Sequence, residues 1–271
     1  MVYRVCTGSY YQDFKDVWGD GACDINWPSD VTATCATEGA TVALSDADRA
    51  KSDADYDDIA LSIAAYEDSS EVNAFSSTYD LSFQGKAKLT QEERRGHALF
   101  NGKGKCHLCH IISGKKPLFT DYTFDNLGVP KNPENPVYDY DPGFVDEGLG
   151  GFLATLGEDY AGLVPENMGK QKVPTLRNVD KRPSEEFVKA YMHNGYFKTL
   201  KRVVHFYNTR DVLDVCPGDY TDAQAEAADC WPPPEVAENV NRDELGDLGL
   251  TDAEEDAIVA FLKTLSDGDT P

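Results

Sequence analysis

The sequence predicts a mainly α-helical fold with long ordered loops and few or no strands. Three observations predict it. Four segments place apolar residues at helical spacing, and two of these open on a capping-box signature. No segment alternates apolar and polar residues convincingly enough for a half-buried strand. Segments 113–150 and 208–249 are dense in Pro, Gly, Asn and Asp.

The helices follow in chain order. Tyr56, Ile59, Ala60, Ile63 and Ala64 recur at helical spacing and predict an amphipathic helix over 53–67. Thr90 with Glu93 predicts a helix start that runs to Phe100. Gly96 in its middle costs about 1 kcal/mol relative to Ala, which a close approach by another backbone would justify. Leu200, Val203, Val204 and Tyr207 fall on one helical face. Thr251 with Glu254 opens a last helix, whose stripe Ile258, Phe261, Leu262 and Leu265 ends before Gly268. Loops of such length leave little continuous core. A large, flat apolar group would fill the middle.

Composition bounds the function. The chain has 271 residues and a formal net charge of −23, which makes it a poor ligand for nucleic acid or an anionic membrane. No stretch approaches the ~18–20 apolar residues of a membrane span. Charge is uneven: residues 170–210 hold ten Lys/Arg against three Asp/Glu, while 211–271 hold two against seventeen. The basic belt has three natural partners, namely the acidic segment, another chain, or the carboxylates of a cofactor. Solvated loop charges are the plain alternative. The opening residues Met1 to Cys6 lack the pattern of a secretory signal, which predicts a processed form or a piece of a longer product if the chain works outside the cytoplasm.

Seven cysteines are present. Five are scattered in polar loops, which suits an oxidising compartment. Cys216 with Cys230 is the first expected disulfide and Cys23 with Cys35 the second, leaving Cys6 unpaired. Five buried free thiols are the alternative.

The other two lie in Cys106-His107-Leu108-Cys109-His110, the spacing of a c-type haem attachment site. Two thiols three residues apart on a helical turn can each form a thioether with a haem vinyl group. The next residue, His110, then sits under the iron. A structural zinc site needs a second ligand pair, and the sequence has no other C-x-x-C or H-x-x-x-H. A redox dithiol belongs after a strand in a βαβ setting, which is missing. The helix bearing Gly96 and Phe100 and the helix bearing Phe261 and Leu262 fit a cytochrome c topology, crossing at the glycine. For the iron's sixth position, Met168, Met192, His193, His205 and Tyr207 are candidates, and spacing does not rank Tyr207 above Met192. His205 is rotated off the apolar stripe, toward solvent or the acidic segment.

The runs LFNGKGKCHLCH (99–110), LFTDYTFDNLGVPKNPENP (118–136), KVPTLRNVDKRPSEEFVKAYMHNGYFKTLKRVVHFYN (172–208) and AIVAFLKTLSDG (257–268) resemble the bacterial dihaem cytochrome c peroxidase family, most closely its MauG-like branch. The resemblance covers residues 84–268. Residues 1–83, with DDIALSIAAYE (57–67), resemble the end of that family's first haem domain, with its haem motif absent. The domain division implied is 1–83 and a C-terminal cytochrome c-like haem domain over 84–271.

The resemblance implies a periplasmic oxidoreductase that reduces hydrogen peroxide with electrons from a small cytochrome c or cupredoxin, this chain carrying the electron-receiving haem. It implies one covalent haem c per chain, with Cys106 and Cys109 as thioether cysteines and His110 as proximal ligand. Tyr207 stands where the MauG-like branch has its tyrosine ligand, with Met192 as the alternative. Arg177 is expected to meet a haem propionate, and His193 matches a family histidine near the domain interface. The family's second C-x-x-C-H is absent, so peroxide turnover is expected to need the other haem domain. Phe187-Val188-Lys189-Ala190 replaces the Thr-Ala-Pro of many members, which puts calcium in doubt. Assembly as a homodimer stays open. The rival readings are a monohaem electron-transfer protein without peroxidase activity and a non-catalytic interaction domain built on haem.

Overall fold

The computed structural model describes residues 1–37 and 39–268. They form two compact units, Met1–Ala74 and the residues from Phe75 onward. The fold is mainly α, with four two-residue strands among the described residues. No helix among them is long and apolar enough to cross a membrane.

The first unit holds α1 (Val2–Thr7), α2 (Tyr11–Trp18), α3 (Val31–Cys35) and α4 (Asp46–Glu67). Its core is small: Val2, Cys6, Phe14, Ala22 and Ile59, with Trp18 and Trp27 against them. A core of this size needs a staple. The staple is Cys6–Cys23, which ties α1 to the turn after α2. This corrects the expected Cys23–Cys35 pair. Cys23 turns back in a left-handed conformation (φ 64°) that aims it at α1, and Cys35 is left free and exposed on α3.

Helix α4 is longer than its apolar pattern, and a different face of it is buried. Ser45 caps it through the Asp48 N–H, and the buried face is Asp48, Ser52, Asp55 and Ile59. Tyr56 and Ile63, expected inside, are exposed. The loops decide this. Asp48 accepts hydrogen bonds from Asn26 N and Asn26 Nδ2, and Asp55 accepts one from Cys23 N. The carboxylates therefore satisfy loop N–H groups that apolar side chains would leave orphaned.

The second unit begins with α5 (Thr78–Phe83) and α6 (Gln91–Phe100) and continues through α7 (Gly148–Ala154), α8 (Val164–Asn167), α9 (Leu200–Thr209), α10 (Asp222–Ala228) and α11 (Asp252–Lys263). Strands β1 (Phe124–Asp125) and β2 (Gln171–Lys172) pair antiparallel, with Asp125 opposite Gln171. Strands β3 (Asp214–Val215) and β4 (Cys230–Trp231) pair parallel, beside the disulfide Cys216–Cys230.

Helices α6 and α11 cross at Gly96. A Cβ there would lie 1.8 Å from Ala257 O and 2.9 Å from Phe261 Cβ, so only glycine fits. The crossing is sealed by aromatic rings set edge to face: Phe100 and Tyr79 approach Phe261 at 5.2 and 5.6 Å between centroids. Phe119, Phe197, Phe206, Trp231 and Leu265 complete the core.

The division between units falls before Phe75, nine residues upstream of the boundary read at Gln84. Helix α5 explains it. Tyr79 packs in the second unit's core, and Asp80 receives the buried Arg177 guanidinium there.

The basic belt finds much of its counter-charge inside this unit. Lys201 meets Asp252, Glu255 and Asp256 at the start of α11, and Arg202 meets Asp222 on α10. Arg177 is 3% exposed in its side chain and is gripped by Asp80 and Asp267.

Candidate haem-binding site

A cavity of about 590 Å³ opens between α6, α9, α11 and the loop carrying the pentad. Its wall is mostly apolar, with Phe100, Leu176, Val203, Val204, Ile258 and Leu262 contributing. Pockets of this kind take flat apolar cofactors held by a few polar groups.

The pentad lies on that wall because its backbone is wound tightly. Lys105 enters a left-handed conformation (φ 54°), Cys106–Leu108 form one 3-10 turn, and His110 N donates to Cys106 O at 2.9 Å. Gly104 clears the approach, since a Cβ there would sit 3.1 Å from Ile258 Cδ1 and 3.4 Å from Cys106 Sγ. Cys106, Cys109 and His110 consequently face one cavity.

His110 is oriented from behind. Its Nδ1 lies 2.8 Å from Phe119 O. A carbonyl there requires the Nδ1–H tautomer and leaves the Nε2 lone pair free for a metal. Phe119 is fully buried, and the next residue anchors the loop through Thr120 Oγ1 to Val173 O at 2.7 Å. Burial lowers the His110 pKa and keeps the ring neutral.

The thiols carry a second message. Burial pushes Cys106 up to about 12, and burial together with Glu244 and its acidic neighbours does the same to Cys109. Thiols held that high are not thiolates at neutral pH, which disfavours the redox-dithiol reading.

Tyr207 of α9 lines the cavity. Burial raises its phenol well above the ordinary range, and the neighbouring Cys106, Cys109 and Asp125 add to the shift. Its hydroxyl makes no side-chain hydrogen bond among the described residues. Met192, with φ 69°, also lines the cavity, as does His193. His193 Nε2 stands 4.0 Å from both Asp146 and Glu235. His205 points elsewhere, with Nδ1 3.0 Å from Glu255 Oε1 on α11.

Arg177 does not line the cavity. Its Nη1 is 3.2 Å from Asp80 Oδ1 and its Nη2 is 2.5 Å from Asp80 Oδ2 and 3.3 Å from Asp267 Oδ1. These bonds occupy the planar fork that a propionate would need. The neighbouring Leu176 reaches the cavity instead.

Two cavity residues have no signal in the sequence. Asp125 and Glu244 lie beside Cys109 in loops already crowded with carboxylates.

Comparison with known proteins agrees with this geometry. No family model matches the chain. The chain is 35% identical over 225 residues to the methylamine utilization protein MauG of Paracoccus denitrificans, covering 78% of this chain and 52% of MauG. It is 32% identical over 215 residues to the cytochrome-c peroxidase IdrP1 of Denitromonas iodatirespirans, covering 75% and 48%. The chain thus spans about half the length of these relatives. Among solved structures, the diheme peroxidase BthA of Burkholderia thailandensis superposes with a TM-score of 0.65 at 26% identity, covering 98% of this chain and 58% of BthA. A point variant of BthA gives 0.66 at 28% identity, covering 98% and 57%. On these relationships, and with a mainly α fold built around one cavity, the chain belongs to the bacterial dihaem cytochrome c peroxidase family, in its MauG-like branch.

Proposed function

We propose that the chain is the electron-receiving part of a periplasmic haem-c peroxidase, which reduces hydrogen peroxide with electrons from a small cytochrome c or cupredoxin. The observation that carries this reading is the joint placement of Cys106, Cys109, His110 and Tyr207 on one haem-sized cavity, with His110 Nδ1 fixed on Phe119 O. Cys106 and Cys109 would hold the porphyrin as thioethers, His110 would ligate through Nε2, and Tyr207 would take the opposite side, with Met192 the alternative. A haem c bound there supplies one-electron transfer. The apolar wall excludes water, and the Phe119 carbonyl keeps the imidazole ring in one orientation. A phenol oxygen is a harder donor than a thioether, so Tyr207 would favour the ferric state over the ferrous.

Peroxide reduction to water consumes two electrons and two protons. The resemblance implies a second, peroxide-reacting haem in the family's full-length members, so turnover is expected to need that domain. Residues 1–74 are read as part of the domain that carries it. The second reading is a monohaem electron carrier without peroxidase activity. Calcium is not part of either reading.

The test is a pyridine haemochrome assay on the matured chain, followed by peroxide turnover with a reduced donor. One c-type haem per chain is expected. A haem-free chain would falsify both readings. A haem-loaded chain that exchanges electrons with the donor but never turns over peroxide, even with a second haem domain supplied, supports the electron carrier.

A further inference from the structure

Asp125 on β1 and Glu244 converge at the cavity wall. Asn241 Nδ2 donates to Asp125 Oδ2 at 2.6 Å and to Glu244 Oε2 at 2.7 Å. The amide orientation is fixed, because Asn241 Oδ1 accepts the main-chain N–H groups of Asp243 and Glu244, each at 3.1 Å. One neutral donor thus holds two carboxylates. Their oxygens and the Cys109 sulfur all lie within 4.8 Å of one another. No Lys, Arg or His comes within ion-pair distance of either carboxylate among the described residues. Lys170 is the cation whose field reaches Asp125. Both carboxylates are partly buried and line the cavity.

Two like charges gathered without a cation are unfavourable in a partly buried place. The Asn241 bonds together set two carboxylates beside Cys109, whose Sγ lies 3.7 Å from Glu244 Oε2. We infer that Asp125 and Glu244 hold the reduction potential of the haem low by favouring its oxidised, more positive state; this rests on the haem site proposed above. The pair acts through space and ligates nothing. A full charge facing a redox centre in a partly dry site is worth about tenfold in the oxidised-to-reduced ratio, ~59 mV for one electron.

Potentiometric titration of the haem-loaded chain, followed in the visible spectrum, tests the inference. Glu244→Gln and Asp125→Asn should each raise the midpoint by about tenfold in that ratio, ~59 mV, with an unchanged ferric spectrum. Glu244→Asp keeps the charge and should stay near the wild-type midpoint. If one neutral variant fails to load haem, the other decides. Midpoints of the loaded neutral variants within about twofold of wild type, ~18 mV, overturn the inference while the haem site stands. Failure of both neutral variants to load haem also overturns it, because the pair is then part of the scaffold. A wild-type chain without haem overturns the site and the inference together.

Discussion

Position 96 and Ala257 touch so closely that a methyl group added at Gly96 would fall 1.8 Å from the Ala257 oxygen. The two helices that wall one side of the cavity are therefore in backbone contact. Gly96→Ala must push α6 and α11 apart or bend them. The expected loss is about 1–3 kcal/mol despite the better helix propensity of alanine. At this chain size that lowers the melting temperature by ~2–4 °C per kcal/mol. Calorimetry on the haem-loaded chain measures it, and an unchanged melting temperature would show that the crossing is looser than described.

Cysteine accessibility tests the disulfide correction. With Cys6–Cys23 and Cys216–Cys230 closed and the pentad thiols carrying haem, alkylation without reductant should modify Cys35 alone. Peptide mass spectrometry reads the adduct. An adduct on Cys6 would restore the Cys23–Cys35 pairing.

Tyr207 and Met192 share one cavity, so the distal ligand is decided by spectroscopy. Tyr207→Phe should change the ferric visible and electron paramagnetic resonance spectra, because the phenol oxygen is lost. Identical spectra would move the assignment to Met192. The melting curve supplies a control, since Tyr207→Phe removes no hydrogen bond among the described residues.

The Lys103–Glu254 pair predicts an acid-side effect. Lys103 Nζ is 2.6 Å from Glu254 Oε2, which also accepts the Thr251 N–H at 2.9 Å. These bonds hold the carboxyl down at about 2, from the usual 4.5. A carboxyl held low binds its proton more weakly folded than unfolded, so the pair stabilises above pH 4.5 and is lost as pH falls toward 2. Lys103→Gln should lower the melting temperature slightly near neutrality. The gap should close at the acid end and in high salt. A gap that persists in ~1 M salt would mean Lys103 acts by packing.

Local patterns were the legible ones. The pentad, the glycine inside α6 and the apolar face bearing Tyr207 are local features, and spacing alone reports them, although the partner of Gly96, Ala257, lies far along the chain. Arg177 was misplaced because its partners, Asp80 and Asp267, lie 97 and 90 residues away, and nothing local announces them. The buried face of α4 was misjudged because Asn26 and Cys23 offer it main-chain N–H groups that an apolarity pattern does not register. Cys6 and Cys23 meet through a left-handed turn that no spacing rule contains.

The Gly96 crossing also bears on the order of events during synthesis. Helix α6 leaves the ribosome long before α11, and their shared side of the cavity is incomplete until α11 arrives. Through that interval the pentad's side of the cavity stays open. Helix α11 then completes that side, so closure of the cavity is tied to the last helix made.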